Sequence, residues 1–169
     1  KNRINVRLGG NIGEPVLTLK VKENSLIIIE ASSFQLAYSK FIRPKYAILL
    51  NISNDHLDWH GSMSNYIKSK FKIFSLQKKD DFAFLNNKKF FNIFVKKKYS
   101  SNLKLVKLDK YKTIKNKIKN NYLNSIANDE NMSFVFALSK ILKITNESFI
   151  KSMQSFKGLP HRYEIFYKK

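Results

Sequence analysis

Two short apolar runs restrict the fold of this chain most. SLIIIE at residues 25–30 and YAILLNIS at residues 46–53 are continuous, rich in β-branched residues or leucine, and bounded by polar groups. That length and pattern suit strands covered on both faces, the environment of a parallel sheet. Each run ends in groups able to do chemistry: Glu30 with ASSFQ behind it, and Asn54, Asp55 and His56. Ligands of open α/β sheets bind outside the carboxyl ends of the strands, so both clusters are expected to face one crevice. The expected fold class is therefore α/β, a doubly wound and mostly parallel sheet with flanking helices.

Other segments fill in this plan. SSFQLAYS reads as a short helical crossover capped by Ser32 or Ser33, with Phe34 and Leu36 as packing groups. Residues 65–74 set Tyr66, Ile67, Phe71, Ile73 and Phe74 among polar residues behind Ser62 or Ser64, which predicts a second helix. Strands are predicted at residues 81–86, 90–95 and 103–109, and the lysine-rich stretch 110–121 reads as a solvated loop. Residues 128–142 predict a helix capped by Asn128, with Asp129 and Glu130 in its first turn and an apolar face of Met132, Val135, Phe136, Leu138, Ile141 and Leu142. A further helix follows over 147–156, capped by Thr145 or Asn146, and RYEIFYKK alternates like a closing strand. No repeat, Pro-rich linker or composition break marks a second domain.

Composition excludes several classes. With 169 residues and 43% hydrophobic content the chain can bury one ordinary core, and without cysteine it can form neither a disulfide framework nor a zinc–thiolate site. No apolar stretch approaches the ~18 residues of a membrane span, and KNRINVRLGG lacks the core of a signal peptide, so a cytoplasmic protein with no membrane partner is expected. The net charge of +20 raises nucleic acid as a partner. However, 28 of the 32 basic residues are lysine, only four are arginine, and 18 asparagines accompany them. Nucleic-acid interfaces favour the bidentate fork of arginine, so the excess reads as surface composition and nucleic acid is not the expected partner.

The chemical motifs are individually weak. GGNIGEP holds three of the five glycines and serves equally as a plain turn or a binding loop, since the chain has neither GxxxxGK[ST] nor GxGxxG. Glu30 can simply emerge into solvent, and His56 can be an ordinary hydrogen-bonded histidine. With Asp55 and Asp58 beside His56, an oxygen-rich Mg2+ site is reasonable, whereas zinc would want more than His60 and His161 nearby. Lys70 is one lysine among 28 and on composition faces solvent. GLPHRYE sets Arg162 after a Gly-Pro turn, where a guanidinium could hold a phosphate.

Taken in order, GGNIGEPVL, EASSFQL, ILLNISNDHLDWHGSMSNYIKSKFKIF, NDENMSFVFAL and FKGLPHRYEIF resemble the central ATPase domain of the Mur ligases over nearly the whole chain. SSFQL and GLPHR point within that family to members that add D-glutamate to UDP-N-acetylmuramoyl-L-alanine, in peptidoglycan precursor synthesis. The resemblance implies an ATP-dependent, Mg2+-requiring amide synthesis. ATP phosphorylates a carboxylate, which is a poor electrophile until it carries a leaving group, and the amine of D-glutamate displaces the phosphate. By matching positions, Glu30 and His56 would be Mg2+ ligands, Asn11 and Ser32 would contact the muramoyl substrate, and Asn131, Arg162 and more weakly Asn128 would contact the nucleotide. Lys70 would be carbamylated by CO2, which turns a cation into a metal-binding carboxylate; Lys68 and Lys72 would remain surface charge.

Complete members of the family carry a uridine-nucleotide domain and a GTNGKST-like phosphate loop before this region, and an amino-acid domain after it. The chain is thus expected to be an incomplete central domain, a monomer, and inactive alone. A non-catalytic binding remnant of the fold and a basic nucleic-acid-binding module are the alternatives from other classes.

Overall fold

The computed structural model describes residues 5–124 and 126–158. In chain order these form β1 (Val6–Gly10), β2 (Leu26–Glu30), α1 (Ser33–Tyr38), β3 (Tyr46–Ile48), α2 (Leu57–His60), α3 (Met63–Phe71), β4 (Phe82–Leu85), α4 (Lys88–Lys96), β5 (Asn102–Leu105), α5 (Leu108–Lys115), α6 (Ile126–Ile141) and α7 (Asn146–Gln154). Every strand pairing among the described residues is parallel, as the apolar runs require. No helix of these residues is long and apolar enough to cross a membrane. The predicted closing strand RYEIFYKK lies outside the described residues.

The strands form two sheets rather than the single expected one, β1-β2 and β3-β4-β5. The chain correspondingly divides into two compact units. One runs through Arg43 and resumes over Ile52–Leu76; the other comprises Pro44–Asn51 and the residues from Gln77 onward.

In the first unit β1 and β2 pair in register from Val6↔Leu26 to Gly10↔Glu30. The expectation that SLIIIE is covered on both faces fails here: Ile27, Ile28 and Ile29 are 42%, 49% and 46% exposed. Faces of a parallel sheet are covered by the helices packed on them, and β2 makes its main contact with β1 alone. In the same unit α1 packs on α3, with Leu36, Tyr66, Phe71 and Phe74 buried. Ser32 caps α1 and Ser62 caps α3, each accepting the N–H three residues on.

In the second unit α6 covers the β3-β4-β5 sheet, joining Phe134 to Phe84 and Val106, with Tyr46, Ile48, Phe82 and Leu138 at the margin. A separate core gathers Tyr111, Ile114, Ile118, Leu123, Met132, Phe136 and Phe149. Two predictions are corrected by these contacts. Residues 90–95 are helical, in α4, because Asn87 accepts the N–H of Lys89 as a cap and the buried Phe90 and Phe94 fall four apart on one face. Part of the expected loop 110–121 is α5, whose Tyr111 and Ile114 supply a narrow apolar stripe. YAILLNIS is extended only over Tyr46–Ile48.

Candidate active site

All the residues expected to hold metal or to meet the acyl substrate lie in the first unit. At the carboxyl ends of its two strands, Gly10 has φ 119°, and a Cβ there would fall 2.2 Å from the carbonyl oxygen of Glu30. Only glycine lets the chain turn so close to its neighbour. The turn brings the N–H of Asn11 to 2.8 Å from that same carbonyl, so Asn11 and Glu30 stand side by side. Two residues on, the Ser32 hydroxyl accepts the N–H of Gln35 at 3.2 Å while Gln35 Oε1 accepts the N–H of Ser32 at 2.9 Å. The reciprocal cap fixes where α1 begins.

His56 arises from a tight arrangement of its own. Its backbone is left-handed at φ 55°, which an L-residue adopts only when its surroundings impose it. Asp55 Oδ1 accepts the His56 N–H at 2.8 Å and lies 3.4 Å from its Nδ1. The single turn of α2 follows and ends at Gly61, φ 71°. Asn65 of α3 reaches back to donate to the carbonyl of His60 at 3.0 Å. The segment from His56 to Asn65 is therefore held at both ends. Asp58 sits exposed in the turn of α2.

Lys70 differs from the neighbouring lysines. It is half-buried near the end of α3, and its Nζ lies 5.3 Å from the centre of the Tyr66 ring. Burial lowers its pKa from the usual lysine range, against the opposing attraction of the Glu30 and Asp55 charges. Burial, with Asp55 adding to it, raises the pKa of Tyr66. Lys68 is exposed, as expected. Lys72 is not the plain surface charge expected: it is half-buried and donates to the carbonyl of Ala37.

The donor set can be tested against a metal ion on these facts. Among the described residues no three of His, Asp and Glu gather closely enough to hold one. The charges of Glu30 and Asp55 nevertheless both act on Lys70. With Lys70 as an ammonium the place repels a cation; with Lys70 as a carbamate it offers oxygen donors throughout, plus the imidazole of His56, a set suited to Mg2+. In that second form the donor types would suit a divalent ion.

The expected nucleotide contacts belong to the second unit. Asn131 is exposed on α6. Asn128 is not the cap predicted for that helix, which begins at Ile126; it lies in the first turn and its Nδ2 donates to the carbonyl of Tyr122 at 2.7 Å. Arg162 lies outside the described residues. This unit also contains a cleft of about 300 Å3 between β5, α5 and α6, floored by Phe84, Val106 and Phe136, and it includes none of the predicted site residues.

Sequence reading passed over the buried cluster beneath His56. His60 and Ser33 are 6% and 3% exposed and lie 3.0 Å apart, Nε2 to Oγ, with Phe34, Trp59 and Tyr66 around the imidazole. The available signal was the spacing of four between His56 and His60, which bounds a single helical turn.

Parallel sheets flanked by helices, with a glycine turn and an acid at the ends of β1 and β2, define an α/β domain of the kind that assembles ligand sites at strand ends. The family model described as Mur ligase middle domain matches residues 11–151, and the chain belongs to that family. Among similar proteins, the UDP-N-acetylmuramoylalanine--D-glutamate ligase of Rickettsia felis is 34% identical over 96% of this chain and 40% of its own length. Those of Rickettsia bellii and Oenococcus oeni are 35% and 30% identical, again over 96% of this chain and 41% of their own lengths. The chain thus spans about two fifths of the relatives it matches.

Proposed function

We propose that this chain supplies the central, ATP- and Mg2+-dependent part of a ligase that joins D-glutamate to UDP-N-acetylmuramoyl-L-alanine. The observation that carries the reading is Lys70, an amine pushed toward its neutral form by burial yet placed in the field of two carboxylates. The names of the relatives support the choice of substrates.

The neutral amine is the form that reacts with CO2. Its lone pair forms the N–C bond, one C=O π pair moves onto oxygen, and a proton leaves nitrogen for solvent, so that a cation is replaced by an anion. Glu30, His56 and carbamylated Lys70 would hold Mg2+, which neutralises phosphoryl oxygens during transfer from ATP. Asn11 and Ser32 are assigned to the muramoyl substrate and Asn131, Asn128 and Arg162 to the nucleotide. Asn11 is carried by the turn that also fixes Glu30, which sets the substrate end of the site beside the metal end. The Ser32 hydroxyl accepts the Gln35 N–H and donates to Gln35 Oε1 at 3.2 Å, so contact with a ligand would draw its proton away from that side chain.

A chimaera in which this chain replaces the matching segment of the Rickettsia felis ligase tests the assignment. With UDP-N-acetylmuramoyl-L-alanine, D-glutamate and ATP it should form the amide with release of inorganic phosphate, and Lys70→Ala in the same chimaera should abolish this. A folded chimaera that releases no phosphate, or one that keeps full turnover with Lys70→Ala, would contradict the assignment.

A further inference from the structure

His60 is the only buried side chain of α2, at the opposite end of that single turn from His56. Its main-chain N–H donates to the carbonyl of His56 at 3.0 Å, and its own carbonyl accepts from Asn65. The imidazole is stacked on Phe34 at 5.6 Å, meets Trp59 edge-on at 4.5 Å and Tyr66 at 5.0 Å, and holds Ser33 Oγ at 3.0 Å. Phe34 is also 4.8 Å from the ring of His56.

A helix of four residues has no stability of its own, because nucleation fixes several residues for one hydrogen bond. This one also begins at a left-handed residue. Something outside the turn must hold it, and the side chain that reaches inward is His60. Its bond to Ser33 and its stack on Phe34 both end on the first turn of α1, directly behind Ser32.

We propose that His60 is a positioning residue: one buried imidazole fixes both the turn that presents His56 and the Ser32–Ser33 corner of α1, so that the metal-facing and substrate-facing groups share a single anchor. The proposal rests on the reading of His56 as a metal ligand. Filling the space is not sufficient for this role. An apolar ring at position 60 leaves the buried hydroxyl of Ser33 without its partner, whereas a glutamine amide can still reach it.

The chain and its variants His60→Ala, His60→Phe and His60→Gln provide the test, with Phe74→Leu as a matched core control, since Phe74 is fully buried in the same unit. Two quantities are read: the nuclear Overhauser contact between the rings of His56 and Phe34, and Mn2+ affinity by electron paramagnetic resonance in bicarbonate buffer. His60→Ala and His60→Phe should lose the ring contact and bind Mn2+ about tenfold or more weakly, as happens when the group that orients a metal ligand is removed. His60→Gln should retain both, and Phe74→Leu should lower the melting temperature while changing neither. Unchanged ring contact and Mn2+ affinity in His60→Phe would overturn the proposal, as would equal losses in Phe74→Leu. A wild-type chain that binds no Mn2+ removes the metal reading of His56, and the ring contact alone then decides whether His60 positions the turn.

Discussion

The N–H of Asn11 donates to the carbonyl of Glu30 at 2.8 Å, tying the turn after β1 to the last residue of β2. The substrate and metal ends of the proposed site therefore depend on one glycine. Gly10→Ala combines a left-handed backbone with a Cβ 2.2 Å from a carbonyl oxygen, and should cost about 3 kcal/mol or more. Gly61→Ala meets nothing within 4 Å, so it should cost only the backbone term, about 1 kcal/mol. Urea unfolding of the two variants measures the gap, and equal losses would count against the close approach.

Ser32 is asked to cap a helix and to face substrate. Ser32→Ala removes the acceptor for the Gln35 N–H and should lower stability by about 1 kcal/mol, while Ser32→Asp, which restores an acceptor, should recover most of it. Chemical denaturation is again the measurement. A Ser32→Ala variant as stable as the parent would show that the cap contributes nothing.

The lowered pKa of Lys70 has a definite pH signature. Between its folded value and the ordinary lysine value, the unfolded chain binds more protons than the native one, so wild-type stability rises with pH across that window. The penalty is complete below the folded value and gone above the unfolded one. In CO2-free buffer Lys70→Met should therefore be more stable than wild type at neutral pH, with the difference shrinking as pH climbs through the window. Thermal melts of both proteins over pH would show it; a difference that widens with pH has the wrong sign.

Lys115 and Asp129 make the tightest ion pair described, at 2.6 Å, with the Asp129 side chain only 9% exposed. Lys115→Ala should cost about 3 kcal/mol, because it leaves the carboxylate buried without its cation. Asp129→Asn together with Lys115→Ala should recover part of that loss in urea unfolding. No recovery would mean that the lysine acts through packing instead.

Local signals in the sequence carried most of the architecture. The caps were legible to within a choice of two, settled as Ser32, Ser62 and Thr145, because a hydroxyl before an apolar-periodic segment satisfies free N–H groups wherever the helix later packs. Phe90–Val95 misled because a short, β-branched and aromatic run has no clear period, and only the burial of Phe90 and Phe94 decides between strand and helix. The loop expected over 110–121 hid Tyr111 and Ile114 among lysines whose stems can cover an apolar stripe. SLIIIE was legible as a strand, but its cover was not, since burial depends on the helices packed on a sheet. Among the proposed site residues, Glu30 does end a strand, whereas His56 lies beyond the end of β3 at Ile48 and opens α2, and Lys70 was singled out by family likeness and stands half-buried beside Tyr66. His60 stayed hidden because a lone histidine shows its partner only once the chain is folded.

The most direct measurement is the carbon-13 spectrum of the chain equilibrated with 13C-bicarbonate above neutral pH. A carbamate resonance should appear, persist in Lys68→Ala and vanish in Lys70→Ala; Lys72 makes a poor control because it already bonds Ala37. Absence of the resonance from the folded wild type, or its survival in Lys70→Ala, would contradict the account.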